Sequence, residues 1–180
     1  MKTLRLFAYL FVVALVACNH RHCGFESVVL ASCGVVVQMP GNMQHAASVA
    51  KAADVAINVT HHTARFGESV YAVSCNDLAG TMASSFDADD ALHAAVQDTM
   101  VSTGATLDSQ MLIELDGHPG RNFEGSATMD GQPVFVRARA YVAGNHLIQT
   151  SVQGVRGQAS AADVVRYLDS LKFLENKIQD

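Results

Sequence analysis

Side chains with chemical reach are few in this chain, and their positions decide which reactions to look for. The 180 residues include four cysteines and eight histidines. His20, His22 and Cys23 lie close together, and imidazole with thiolate suits zinc or copper. Ligands on a stretch with no element to hold them do not make a preformed site, so no metal is expected there. His61 and His62 are adjacent in a stretch that reads as a strand, where successive side chains point to opposite faces, so the two cannot readily share a metal. Gly117-His118-Pro119-Gly120-Arg121 reads as a glycine-rich loop. Its backbone amides and guanidinium make His118, Gly120 and Arg121 a secondary candidate for holding an anion. A G-x-S-x-G elbow, a phosphate-binding glycine loop, C-x-x-C and H-E-x-x-H are all missing. No catalytic residue and no cofactor is therefore assigned.

Cys18 has the most specific surroundings. Lys2 and Arg5 precede an unbroken apolar run from Leu6 to Val16. That run is too short for a membrane span, which needs about 20 residues, but fits a secretory signal, whose apolar region needs about 7 to 15. Residues 1–17 are expected to be a signal peptide. Leu15-Val16-Ala17-Cys18 resembles the lipobox of bacterial lipoproteins. That resemblance implies that the Cys18 thiol carries a covalent lipid with acyl chains such as palmitate, and that Cys18 becomes the new N-terminus. Asn19, where some lipoproteins have Asp, resembles those passed on to the outer membrane rather than kept at the inner one. Removal of residues 1–17 takes two basic residues and no acidic one, so the net charge of −5 becomes −7, from ten basic against 17 acidic side chains. Such a chain is repelled by anionic headgroups, so the membrane is a partner only through the lipid. The charge balance also speaks against nucleic acid as a partner.

In an oxidising compartment, Cys23, Cys33 and Cys75 are candidates for pairing. If the first three strands form a simple meander, the first and third run the same way, which puts Cys33 at the start of one and Cys75 at the end of the other. A bridge needs Cα atoms within about 7 Å, so both are expected to be buried free thiols.

The elements that would position these groups follow from periodicity. Residues 18–32 read as the lipidated cysteine and a tether, and 33–174 as one domain, with a tail at 175–180. Cys33–Met39, Val55–Thr63 and Ser69–Cys75 are β-rich runs bounded by turn residues, and the stretch after Pro40-Gly41 reads as a turn or loop. Ala88, Ala91, Leu92, Ala95, Val96 and Thr99 recur at helical spacing, predicting a helix over 87–101 that ends before Gly104. Leu107 to Leu115 alternates as a half-buried strand, with Leu107, Met111, Ile113 and Leu115 inward. Ser160 with Asp163 opens a second helix, predicted to run to Leu174.

Three further strands form a meander. Asp130-Gly131 is a two-residue hairpin signal that sets Glu124 opposite Arg137, Asn122 opposite Arg139 and Phe123 opposite Ala138. For the next turn, a three-residue Gly144-Asn145-His146 loop matches Val136, Ala138, Ala140 and Val142 with Gly154, Val152, Thr150 and Ile148. A two-residue loop would set Arg137 against Val152, so three residues are preferred. Glu124, Arg137, Arg139, Tyr141, Gln149, Ser151 and Gln153 then share one polar, exposed face. This is the main candidate binding surface, since Arg and Tyr dominate recognition surfaces. The order β-β-β-α-β-β-β-β-α predicts an α+β fold, a largely antiparallel sheet of six or seven strands packed by two main helices.

Gly34-Val-Val-Val-Gln-Met-Pro-Gly41, Gly117-His-Pro-Gly-Arg-Asn-Phe123, Ala138-Arg-Ala-Tyr-Val-Ala-Gly-Asn-His-Leu-Ile148 and Tyr167-Leu-Asp-Ser-Leu-Lys-Phe173 look like a pattern in uncharacterised exported bacterial proteins. The order of elements is similar to the PsbP-like fold. That resemblance implies accessory and binding roles, without giving catalytic residues. The expectation is a non-enzymatic cell-envelope lipoprotein that binds a protein or small ligand. The competing expectation is a small periplasmic enzyme with an unrecognised active site.

Overall fold

Four hairpin turns set the frame. The computed structural model describes residues 24–41, 43–52, 55–78 and 87–174. Residues 1–17, expected to be a signal peptide, lie outside them, as do Cys18, Asn19, His20, His22, Cys23 and residues 175–180. Strands β1 (Phe25–Leu30), β2 (Val35–Pro40), β3 (Gln44–Ala52), β4 (Val55–Phe66) and β5 (Ser69–Asp77) precede helix α1 (Ala88–Thr103). Strands β6 (Thr106–Leu115), β7 (His118–Met129), β8 (Gln132–Ala143) and β9 (His146–Val155) follow, then α2 (Ala161–Leu168) and a short β10 (Lys172–Phe173). The β6–β7 and β7–β8 turns, Asp116-Gly117 and Asp130-Gly131, hold both residues at positive φ. In the β4–β5 and β8–β9 turns only the first residue, Gly67 or Gly144, does so. These are the two primed turn geometries whose twist matches paired strands.

The sheet order is β3-β4-β5-β9-β8-β7-β6, antiparallel throughout, beside a second sheet ordered β1-β2-β10. Both faces of the large sheet are covered. On one, Leu92, Ala95, Val96 and Met100 of α1 pack on Phe123, Val136, Ala138, Ala140, Val142 and Leu147. On the other, the small sheet and α2 bring Val35, Val37, Met39, Val164, Tyr167, Leu168 and Leu171 against Tyr71, Val73, Cys75, Tyr141, Ile148 and Val152. The α+β class and the large antiparallel sheet stand as expected. No helix of the described residues is long and apolar enough to cross a membrane.

Helix α1 begins where Asp87 accepts from the Asp89 amide at 2.8 Å and ends on Gly104 in the left-handed region. Helix α2 begins on Ser160, whose hydroxyl accepts from the Asp163 amide at 3.3 Å, but stops at Leu168, short of the predicted Leu174. The reason is Ser170, whose hydroxyl donates to the Tyr167 carbonyl at 2.6 Å and accepts from the Gln38 amide at 2.9 Å. Such side-chain bonds compete with continued helix and turn the chain out to form β10 beside β2.

Four other expectations are corrected. Residues 25–30, assigned to the tether, form β1, paired with β2 from Phe25–Pro40 to Leu30–Val35. Residues 44–52, read as turn or loop, form the edge strand β3. They are poor in β-branched residues, and it is the open edge of β4 that recruits them. Strand β6 is an edge and largely exposed, and a bulge between Leu107 and Ser109 puts Leu107 on the opposite face from Met111, Ile113 and Leu115. The β8–β9 loop has two residues, not three: Arg137 pairs with Val152, Ala138 with Ser151 and Tyr141 with Ile148. The preferred register assumed one polar and one apolar face, whereas β8 is buried on both.

Candidate functional site

Arg137 and Arg139 stand two positions apart on β8 and share a face. Strand β7 sets Glu124 beside the first and Asn122 beside the second, as expected. Their surroundings differ. The Arg139 guanidinium reaches the end of α2, where Nη1 donates to the Leu168 carbonyl at 3.1 Å and lies 2.6 Å from an Asp169 carboxylate oxygen. Its Nε donates to Asn122 Oδ1 at 3.3 Å. The last carbonyls of a helix lack helical partners and attract cations, so Arg139, only 25% exposed, holds the helix in place. Tyr141 is buried, its ring edge-on to Phe173 and over Gly120, where a Cβ would meet Tyr141 Cδ1 at 2.5 Å and the Ala140 carbonyl at 2.6 Å. Burial pushes its phenol above the ordinary range, partly offset by the Arg139 charge and hydrogen bond.

The two-residue loop also moves the β9 members of the predicted surface to the other face. Gln149 donates to the Thr99 hydroxyl of α1 at 2.9 Å, Ser151 lies beside Ala138, and Gln153 reaches Met129 Sδ at 3.3 Å. The seven residues therefore do not form one face. The weaker candidate is not a loop either. His118, Gly120 and Arg121 lie in β7, where the His118 ring packs 4.3 Å from that of Phe173 and Gly120 makes room for Tyr141. Arg121 pairs with Asp89 at 2.6 Å and donates to Gln110 at 2.9 Å, tying β7 to the first turn of α1.

Of the predicted surface, Arg137 and Glu124 remain, and they border a cleft. It lies between β7–β8 and the loop leading into α2, holds about 190 Å³, and is lined by Glu124, Phe135, Arg137, Arg156, Ala159 and Val164, with Asp108 at its rim. Arg137 Nε is 3.2 Å from Glu124 Oε1, with the side chains 36% and 41% exposed. Such a screened pair is worth at most about 1 kcal/mol, so an incoming acid can compete for the guanidinium. The Arg156 amide donates to the Pro133 carbonyl at 2.8 Å, which fixes the turn after β9. Its side chain is exposed and makes no salt bridge among the described residues. Two guanidinium groups thus flank an apolar floor. Sequence reading missed Arg156. An Arg-Gly pair after a strand acquires meaning only once α2 folds the loop back over β8.

No protein-family model matches the chain, and no curated protein matches it by sequence. Among solved structures it is similar to the solution structure of cyanobacterial PsbP (CyanoP) from Synechocystis sp. PCC 6803, with a TM-score of 0.58 and 10% identity over 88% of this chain and 98% of that one. The PsbP-like fold expected from the order of elements is therefore shown. A looser likeness, TM-score 0.47 and 10% identity over 82% of this chain and 88% of the other, is to LpqN of Mycobacterium tuberculosis, a protein involved in cell envelope biogenesis.

Proposed function

We propose that the protein is a non-enzymatic, lipid-anchored module of the bacterial cell envelope, attached through Cys18 at the outer membrane, that holds a partner or ligand in the Arg137 cleft. The observation that carries the binding reading is the pairing of two guanidinium groups, one weakly countered and one unpaired among the described residues, with the apolar side chains of Phe135, Ala159 and Val164. That combination suits a molecule presenting a carboxylate or phosphate on an apolar body, with arginine supplying the planar, bidentate donors. The cleft lining brings two guanidinium groups beside the carboxylates of Asp108 and Glu124, and the proposal takes them as groups that bind and orient.

The test is an NMR screen of the isotope-labelled protein against a panel of amphiphilic carboxylates, phosphates and their uncharged analogues. Acidic members are expected to shift the amides of Arg137, Arg156 and Val164, and Arg137→Ala and Arg156→Ala to weaken binding about tenfold each, the usual loss for a central arginine. Shifts confined to other surfaces, or equal affinity for the uncharged analogues, would refute the assignment.

A further inference from the structure

Both signs of charge meet at the Arg137 cleft, and a local irregularity in β6 supplies part of the negative one. Ser109 stands opposite Glu124, so strict alternation would turn its neighbour Asp108 to the α1 face of the sheet. The bulge between Leu107 and Ser109 re-aims that side chain. The hydroxyl of Ser126, which shares the Glu124 face of β7, donates to Asp108 Oδ1 at 2.9 Å. Glu124 Oε1 meets Arg137 Nε at 3.2 Å, while Asp108, like Arg156, makes no salt bridge among the described residues. The cleft is therefore bordered by two carboxylates and two guanidinium groups, and one pair of opposite charges is in direct contact.

A ligand with an acid group alone complements this arrangement poorly. Its carboxylate, on taking the Arg137 guanidinium from Glu124, would sit beside a Glu124 carboxylate left without its partner, and like charges so close repel. A ligand that also carries an ammonium group removes the conflict. Its carboxylate takes Arg137, its ammonium takes Glu124, and each protein charge keeps an opposite partner. Because the two protein groups are 3.2 Å apart, the two charges of the ligand must be adjacent as well, as they are on the single α-carbon of an amino acid. Arg156 and Asp108 add one further charge of each sign at the border of the cleft. The volume of about 190 Å³ is below the roughly 300–1,000 Å³ of sites for drug-sized ligands. It leaves room for one small side chain against Phe135, Ala159 and Val164 rather than for a long acyl chain. We infer, on the reading that the Arg137 cleft is the binding site, that its ligand is a free α-amino acid with an apolar side chain.

The isotope-labelled full chain is to be titrated, with NMR detection, against L-leucine and L-phenylalanine and against the same molecules lacking one charge. The deaminated acids are 4-methylpentanoate and 3-phenylpropanoate, and the decarboxylated amines are 3-methylbutylamine and 2-phenylethylamine. At least one amino acid is expected to shift the amides of Glu124, Arg137 and Arg156 and to bind about tenfold more tightly than its acid, the usual worth of one hydrogen bond between charged groups. The amines are expected to leave those amides unmoved. Glu124→Gln is expected to abolish the preference, so that amino acid and acid bind alike. Acids that bind as tightly as the amino acids would overturn the inference and leave the Arg137 cleft standing as an acid site. Amino acids that leave the cleft amides unmoved would also overturn it, and the wider panel of acids then decides whether the cleft binds at all. Should the glutamine variant fail to fold, the comparison of matched probes on the parent still decides.

Discussion

Arg137 and Arg139 show how little residue type says about role. The same side chain, two positions apart on one face, binds a helix end in one case and borders an open cleft in the other. Their substitutions should separate accordingly. Arg139→Ala removes the bonds to the Leu168 carbonyl and to Asp169, and is expected to cost about 1–2 kcal/mol in chemical denaturation, as lost charge-assisted bonds do. Arg137→Ala gives up only a half-exposed pair and is expected to stay within about 1 kcal/mol of the parent. Equal losses would mean that Arg137 too is structural. At this scale the Glu124–Arg137 and Asn122–Arg139 pairings were readable from Asp130-Gly131 alone, because that dipeptide admits few turns. The partners of Arg139 at the end of α2 were not, since they lie about thirty positions downstream.

Among the elements, the outer hairpin β3–β4 is the one most exposed to a change of conditions. The His45 and His62 rings stack with centroids 4.5 Å apart, and His62 Nδ1 is buried without a hydrogen-bond partner. Burial, then the neighbouring His45 and His61 charges, hold His62 below the ordinary imidazole value, and burial lowers His61 as well. A histidine depressed in the folded state contributes no penalty above the unfolded pKa of about 6.5. As pH falls from there through the folded value, the unfolded chain takes up protons that the folded one resists, and stability is lost. Amide exchange in β3 and β4, corrected for intrinsic rates, should therefore quicken several-fold between pH 7.5 and 5, and His62→Gln should blunt the change. A flat profile would count against it. The α1 boundaries and the β7–β8 register were legible because caps and an Asp-Gly turn are local signals. Strand β3 and the β8–β9 loop were not. One forms only against a partner, and the other was read through an alternation that a strand buried on both faces does not show.

For the molecule as a whole, the discovery of β1 shortens the expected tether. Cys18 stands seven positions before Phe25, and an extended chain gains at most about 3.6 Å per residue, so a lipid on Cys18 would hold the domain within about 25 Å of the bilayer. Replacing Cys18 by Ser should leave an unprocessed precursor or release the protein from membranes. A variant processed and membrane-bound like the parent would remove the lipoprotein reading. The class of fold was legible from the order of strands and helices. The second sheet was not, because β10 is two residues long and carries no pattern of its own. That small strand has a consequence in time. Val36 pairs with Lys172 and Val35 with Phe173, so the layer begun by β1 and β2 is completed only after all the other described strands and helices have been made. Such distant pairing slows folding. Of the two sheets, the small one therefore has to wait for its last partner, while the seven strands of the large one are all in hand before it.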